Sequence, residues 1–266
     1  MTRARITAGV FVLVAAGIYA VFVHTAIGQR FDDAAKSFTL THHLARTLRQ
    51  QGLPVLTTLS TIGVGAALAV VVVAVAAWHP QRMGLAIRTV TALMVPTVVA
   101  AEALKRWLPR PELYPVPDRL LHATLPSGHV VVVTAAWCSV LFLAPSMRRT
   151  TVLSVGAAAT FTETLLVVAG GRHRPSDALC AVFFVGAWAL AIGRPPEAGL
   201  QGPTIPRGTD FLLAAVGLVG LALAAFVAPQ HLADAFDADA ALIATSVLAL
   251  SAVGTVTLAL VRDPLR

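Results

Sequence analysis

Of the 266 residues, 57% are hydrophobic and only 12% charged. Soluble domains carry about 25% charged residues, so this composition excludes an ordinary water-soluble globule. The formal net charge of +7 does not mark a nucleic-acid binder either, because the basic residues are scattered through short polar segments between apolar runs; lipid headgroups or anionic ligands suit that distribution better.

Runs of about 20 apolar residues read as membrane helices. Eight occur, near 6–27, 54–78, 84–104, 128–146, 151–169, 178–193, 210–228 and 241–261. The first follows Arg3 and Arg5, but it is too long for the apolar core of a signal peptide and lacks a clear small-x-small cleavage site, so it reads as an uncleaved anchor. After it, residues 29–52 place Phe31, Ala34, Ala35, Phe38, Ala45 and Leu48 at helical spacing. Such a helix would lie in the membrane interface, anchored by Arg30, Lys36, Arg46 and Arg49, either as a plain surface helix or as a lid over a site. Cys138 and Cys180 fall inside spans and read as small buried apolar residues. The stretch 194–209, RPPEAGLQGPTIPRGT, has the proline and glycine content of a linker. The expected fold is therefore all-α and polytopic: six spans in residues 1–193, the linker 194–209, and a two-helix transmembrane hairpin in 210–266.

Eight spans place both termini on one side and the loops 29–53, 105–127, 170–177 and 229–240 on the other. Lys and Arg divide evenly between the sides. Six of those in the second set, Lys105, Arg106, Arg110, Arg119, Arg172 and Arg174, belong to two loops with the makings of an anion site. Once these are set aside, the positive-inside rule puts the termini in the cytoplasm and the loops outside.

Three polar clusters share that outer side. The first is Pro126-Ser127-Gly128-His129 at the start of the fourth span: a helix-starting proline, a capping hydroxyl, a bare backbone and an imidazole. Helix N-termini of this kind attract phosphate; an ordinary cap with a headgroup-level histidine reads equally well from these residues alone. The second is GGRHRPSDAL, 170–179, where Pro175 suits a first helical turn and places Asp177 to reach back toward His173. An acid so placed orients a histidine and supports its positive form. The third is LKRWLPRPEL, 104–113, in which Lys105 and Arg106 end a span and Arg110 stands between two prolines. Together they supply two histidines, a carboxylate, a hydroxyl and several cations, the inventory for phosphoryl transfer through a phosphohistidine. No acidic cluster suggests Mg²⁺ and no His-Glu-x-x-His suggests zinc, so metal-independent chemistry without a cofactor is expected. Glu163, inside the fifth span, is an intramembrane carboxylate whose partner would be Arg172, Arg174 or a threonine hydroxyl.

At these residues the chain resembles the type 2 phosphatidic acid phosphatases, relatives of the vanadium haloperoxidases. The family pattern is Lys, six residues, Arg-Pro; then Pro-Ser-Gly-His; then Ser-Arg, five residues, His, three residues, Asp. Residues 126–129 match the second motif fully, and His173 and Asp177 match the end of the third. Two departures stand out. Arg110-Pro111 follows Lys105 after four residues, leaving Glu112 where the family has arginine, and Leu166-Val167 replaces Ser-Arg. The resemblance covers roughly residues 54–193 and implies a six-helix core. It implies roles as well: His173 as nucleophile oriented by Asp177, His129 as acid and then base, and Lys105, Arg110, Ser127 and Gly128 as the phosphate cradle. Arg174, stiffened by Pro175, is the expected substitute for the missing arginine, with Arg172 the lesser candidate. The implied activity is hydrolysis of a lipid phosphate or polyprenyl pyrophosphate at the outer face of the cell membrane. A phosphotransferase using an alcohol acceptor, or a non-catalytic lipid-binding scaffold with the same fold, are the alternatives.

Overall fold

A computed structural model describes residues 3–41, 53–115, 124–145, 148–169, 171–193 and 238–262. They form eight α-helices: α1 (Arg3–His24), α2 (Ala26–Thr41), α3 (Leu53–Trp78), α4 (Met83–Trp107), α5 (Gly128–Leu143), α6 (Arg149–Ala169), α7 (Pro175–Ile192) and α8 (Ala238–Arg262), with a 3₁₀ turn at Pro80–Arg82. Among the described residues there is no strand. Five helices are long and apolar enough to cross a membrane, in α1, α3, α4, α6 and α7; the apolar stretches of α5 and α8 are shorter. The predicted linker and the span at 210–228 lie outside the described residues.

The bundle is organised around α7. Of its span, 78% is buried inside the protein, against 22–28% for the other four, so α7 is the central helix and the others form the rim. Rim helices turn apolar side chains such as Leu13, Val72, Val99, Val155 and Leu250 outward, the pattern that lipid requires. α1, α5 and α8 all pack against α7, and Leu248, Ala249, Val253 and Val256 of α8 join the same apolar core as Val182 and Val185 of α7.

Two local devices fix the packing. Pro96 interrupts α4 and removes the amide that would have bonded the Ala92 carbonyl. Trp188 Nε1 of α7 donates to that carbonyl at 2.9 Å, and Thr97 Oγ1 donates to the Leu93 carbonyl at 2.8 Å. In lipid the Trp188 bond is obligatory, because no water can serve the freed Ala92 carbonyl; the Thr97 hydroxyl adds a second donor to a carbonyl its own amide can reach. Trp188→Phe should therefore lower stability by about 1–3 kcal/mol, the cost of an acceptor left unsatisfied on a lipid-facing surface, read as a lower melting temperature in detergent. The second device is Gly156 of α6, which lies against the Trp137 ring of α5 so closely that a Cβ there would overlap Cδ1 and Nε1. Only glycine admits the ring, and this contact sets the register of two consecutive antiparallel helices.

The segment after α1 is helical, as the spacing from Phe31 to Ala35 predicts, but the helix starts earlier than expected: Thr25 turns the chain at once into α2. Its hydroxyl donates to the Val21 carbonyl at 2.6 Å and accepts the Gly28 amide at 3.0 Å, closing one helix and opening the next. A Cβ at Gly28 would collide with the Val21 carbonyl, so the corner needs glycine for close approach. α2 then buries Gln29, Phe31, Asp32 and Asp33, while Arg30 stays outside with its guanidinium 5.5 Å from the Tyr114 ring centre. Residues 42–52, with Arg46 and Arg49, lie outside the described residues.

Candidate functional site

The three clusters predicted to share one side do converge. α5 begins at Gly128 and α7 at Pro175, and the Ser127 amide donates to the Asp177 carbonyl at 2.9 Å, so two helix N-termini lie side by side. Each carries a partial positive charge, although at α7 the Arg174 and Ser176 amides are already taken by the carboxylates of Asp177 and Asp32. The loop into α7 is shaped by the end of α6. Gly171 adopts a positive φ of 66°, and the Gly171, Arg172 and His173 amides turn back onto the Val168 and Val167 carbonyls at 2.9–3.1 Å. That turn carries Arg172 and His173 over the mouth of α5.

Asp177 reaches back as the sequence suggested. Its Oδ2 accepts the Arg174 amide at 2.9 Å, is bonded by Thr124 Oγ1, and lies 3.5 Å from His173 Nδ1. Asp177 is 1% exposed and His173 is 9% exposed, so the carboxylate acts on the imidazole with little screening. With Nδ1 facing the acid, Nε2 is the nitrogen left for chemistry. His129 stands opposite, with ring centres 6.0 Å apart, and its Nε2 lies 3.1 Å from Arg172 Nη1. Lys105 comes in from the end of α4. A Cβ on Gly128 would lie 3.0 Å from Lys105 Nζ, which places the ammonium against the bare backbone of the α5 N-terminus; the ammonium bonds Glu102 Oε1 at 2.6 Å.

Three expectations need correction. Pro126 precedes the helix rather than starting it, since Ser127 is the N-cap, and the Leu125–Pro126 bond is cis. The Ser127 hydroxyl does not cap α5: its Oγ is buried and has no hydrogen-bond partner among the described residues. The largest change concerns the arginines. Arg174 is fully buried, and its Nε bonds Asp33 Oδ1 at 2.6 Å. Arg110 lies 3.7 Å from both Asp32 Oδ2 and Asp33 Oδ1. Both guanidinium groups are thus held by carboxylates of α2, while Arg172, rated below Arg174 from the sequence, is the exposed one beside His129.

The α2 carboxylates make a buried network that the sequence reading missed. Asp32 accepts the Ser176 amide at 3.1 Å and the Ser176 hydroxyl at 2.5 Å, bonding the first turn of α7 from outside. Burial, and then the charge of Asp177, push the Asp32 carboxyl up to about 7 against the pull of Ser176 and Arg110. Tyr114 donates to Asp33 Oδ2 at 2.7 Å; its phenol is pushed up by burial and by that bond. Gln29 Nε2 donates to the Pro111 carbonyl at 2.6 Å, tying the 108–115 loop to α2. The available signal was the adjacent pair Asp32-Asp33 in a chain with only 13 acidic residues. Glu163, finally, accepts a hydrogen bond from Ser60 Oγ of α3, at 2.5 Å, a partner not expected from the sequence, while Arg172 acts on it through its charge.

Arg106 and Glu112 are exposed, and Arg119 lies outside the described residues. What the site offers an incoming anion is Lys105, Arg172, two imidazoles and two helix N-termini. No family model matches this chain, and neither a curated protein nor a solved structure matches it.

Proposed function

We propose that the protein is an integral membrane phosphatase that hydrolyses lipid phosphates or lipid pyrophosphates through a phosphohistidine. The observation that carries this reading is the pairing of His173 Nδ1 with Asp177 at 3.5 Å, opposite His129 at 6.0 Å between ring centres. The acid faces Nδ1, leaves Nε2 for attack, and supports the positive charge the ring acquires as it attacks phosphorus. The bond from phosphorus to the lipid-side oxygen breaks, and His129 gives that oxygen a proton. Water then attacks the phosphohistidine, His129 takes its proton, and His173 leaves. Lys105, Arg172, the Gly128 amide and the two helix N-termini stabilise the equatorial phosphoryl oxygens.

In this reading α1 and α3–α7 correspond to the six-helix core of the type 2 phosphatidic acid phosphatases. With the cations of the two site loops set aside, the basic residues that remain favour the opposite loops, which supports a site at the outer face of the cell membrane. A phosphate at headgroup level with its tail in lipid suits a site at helix mouths.

One observation favours a second reading, a lipid-binding scaffold without catalysis: Arg110 and Arg174 are engaged by Asp32 and Asp33, which leaves few cations for phosphate. Phosphate release from a panel of lipid phosphates and pyrophosphates separates the two. Purified protein should release phosphate in excess EDTA, because Lys105, Arg172 and the helix ends supply the positive charge. Vanadate, which adopts the trigonal-bipyramidal shape of in-line transfer, should inhibit it. Activity lost in EDTA and restored by Mg²⁺ excludes this mechanism; no release from any lipid phosphate leaves the scaffold.

A further inference from the structure

The 3.1 Å contact between Arg172 Nη1 and His129 Nε2 fixes more than a position. A guanidinium has only N–H donors and stays protonated. The partner nitrogen must accept, so Nε2 of His129 carries a lone pair and its ring is neutral. In this arrangement Nε2 has no proton to give. A proton donor at that place needs its arginine removed first.

We infer that Arg172 is a further catalytic residue with two alternating partners: it holds His129 neutral until a tetrahedral oxyanion takes its guanidinium, and that transfer charges His129. The anion's own negative charge beside the imidazole favours the charged ring, and the loss of the Arg172 contact frees Nε2 to receive a proton from solvent. The groups facing His129 are His173 and Arg172 from the loop before α7 and Lys105 from α4. All of them can carry positive charge, so a bound anion offsets the whole set. Glu163 of α6 in turn acts on Arg172 and His173, and Glu102 bonds Lys105. Arg172 is suited to the exchange because its side chain is exposed, whereas Arg174 is bonded by Asp33 and Arg110 faces the α2 carboxylates at 3.7 Å. The use made of the proton rests on the proposed phosphohistidine chemistry; the exchange itself does not.

Sulfate is the probe, since it is a tetrahedral dianion that does not titrate near neutral pH. Calorimetric titration at about pH 7.5, above the ordinary histidine range, in two buffers of different ionisation enthalpy gives the protons taken up per sulfate. The native protein should take up close to a whole proton. Selectively ¹⁵N-labelled histidine should show His129 passing from a neutral ring with a bare Nε2 to imidazolium. His129→Asn should bind sulfate with no uptake, and Arg172→Gln should bind it about tenfold or more weakly, the scale of a lost charge-assisted bond. Sulfate binding without proton uptake, uptake that persists in His129→Asn, or native affinity in Arg172→Gln would each overturn the inference. Turnover is read separately: coupled sulfate binding with no release from lipid phosphates removes the phosphatase and keeps the exchange, and the converse result does the reverse.

Discussion

Replacing His173 by alanine is expected to abolish phosphate release while leaving the helical content and detergent melting of the protein close to native. Asp177 does not become an orphan in this variant. Its Oδ2 still accepts the Arg174 amide at 2.9 Å and the Thr124 hydroxyl, so a buried carboxylate keeps its partners. What disappears is the nitrogen proposed to bond phosphorus, and His129, with its ring centre 6.0 Å away across the gap, is not placed to replace it. His129→Ala should behave differently. It should lose about 10²–10⁴-fold with a lipid alkoxide leaving group and far less with p-nitrophenyl phosphate, whose leaving group needs little protonation. Near-native turnover in His173→Ala would remove the nucleophile assignment outright. Equal losses with both leaving groups in His129→Ala would remove the acid assignment alone.

Asp33→Ala should be the most destabilising single change at the rear of the site, at about 3–5 kcal/mol. Asp33 bonds Arg174 Nε at 2.6 Å, faces Arg110 at 3.7 Å and accepts Tyr114 Oη at 2.7 Å. Arg174 is 0% exposed, so its charge cannot turn to water when the carboxylate goes. A buried ion pair contributes little net stability over an apolar pair, yet a buried charge that loses its carboxylate is costly. Combining Asp33→Leu with Arg174→Met should therefore recover much of the loss, and the comparison is made by thermal melting in detergent. A loss below about 1 kcal/mol in Asp33→Ala would mean that the pair behaves as a solvated one.

The contrast between these two regions explains what the sequence disclosed. The histidines and Asp177 were legible because their geometry is local: a four-residue step into a helix whose first turn is marked by Pro175. The spans were legible because apolar runs of this length have few alternatives; most observed helices begin and end within three residues of expectation. α1 stops at His24 rather than continuing to 27 because Thr25 satisfies two helix ends at once, a side-chain bond that hydropathy does not register. The fates of Arg110, Arg172 and Arg174 were not legible. Each has the same charge and a similar reach, and the choice among them is made by Asp32 and Asp33, which lie more than 75 residues earlier in the chain. Ser60 and Glu163 meet for the same reason, through a pairing of α3 with α6 that neither segment announces.

The placement of α7 at the centre of the bundle has a consequence for how the protein meets its solvent. A bilayer that is too thick or too thin acts on the helices it touches, tilting them or drawing their ends toward the headgroups. α7 is sheltered from that pull by its neighbours, with 78% of its span buried. His173 and Asp177 stand at its mouth and are braced through Ser176 to α2, so the reacting nitrogen is referenced to the protein interior. Lys105 ends α4, a rim helix, and travels with the lipid-facing wall. A change in acyl-chain length would thus shift one cation against a stationary imidazole, so that membrane composition would enter the site as a displacement of its charge rather than of the proposed nucleophile.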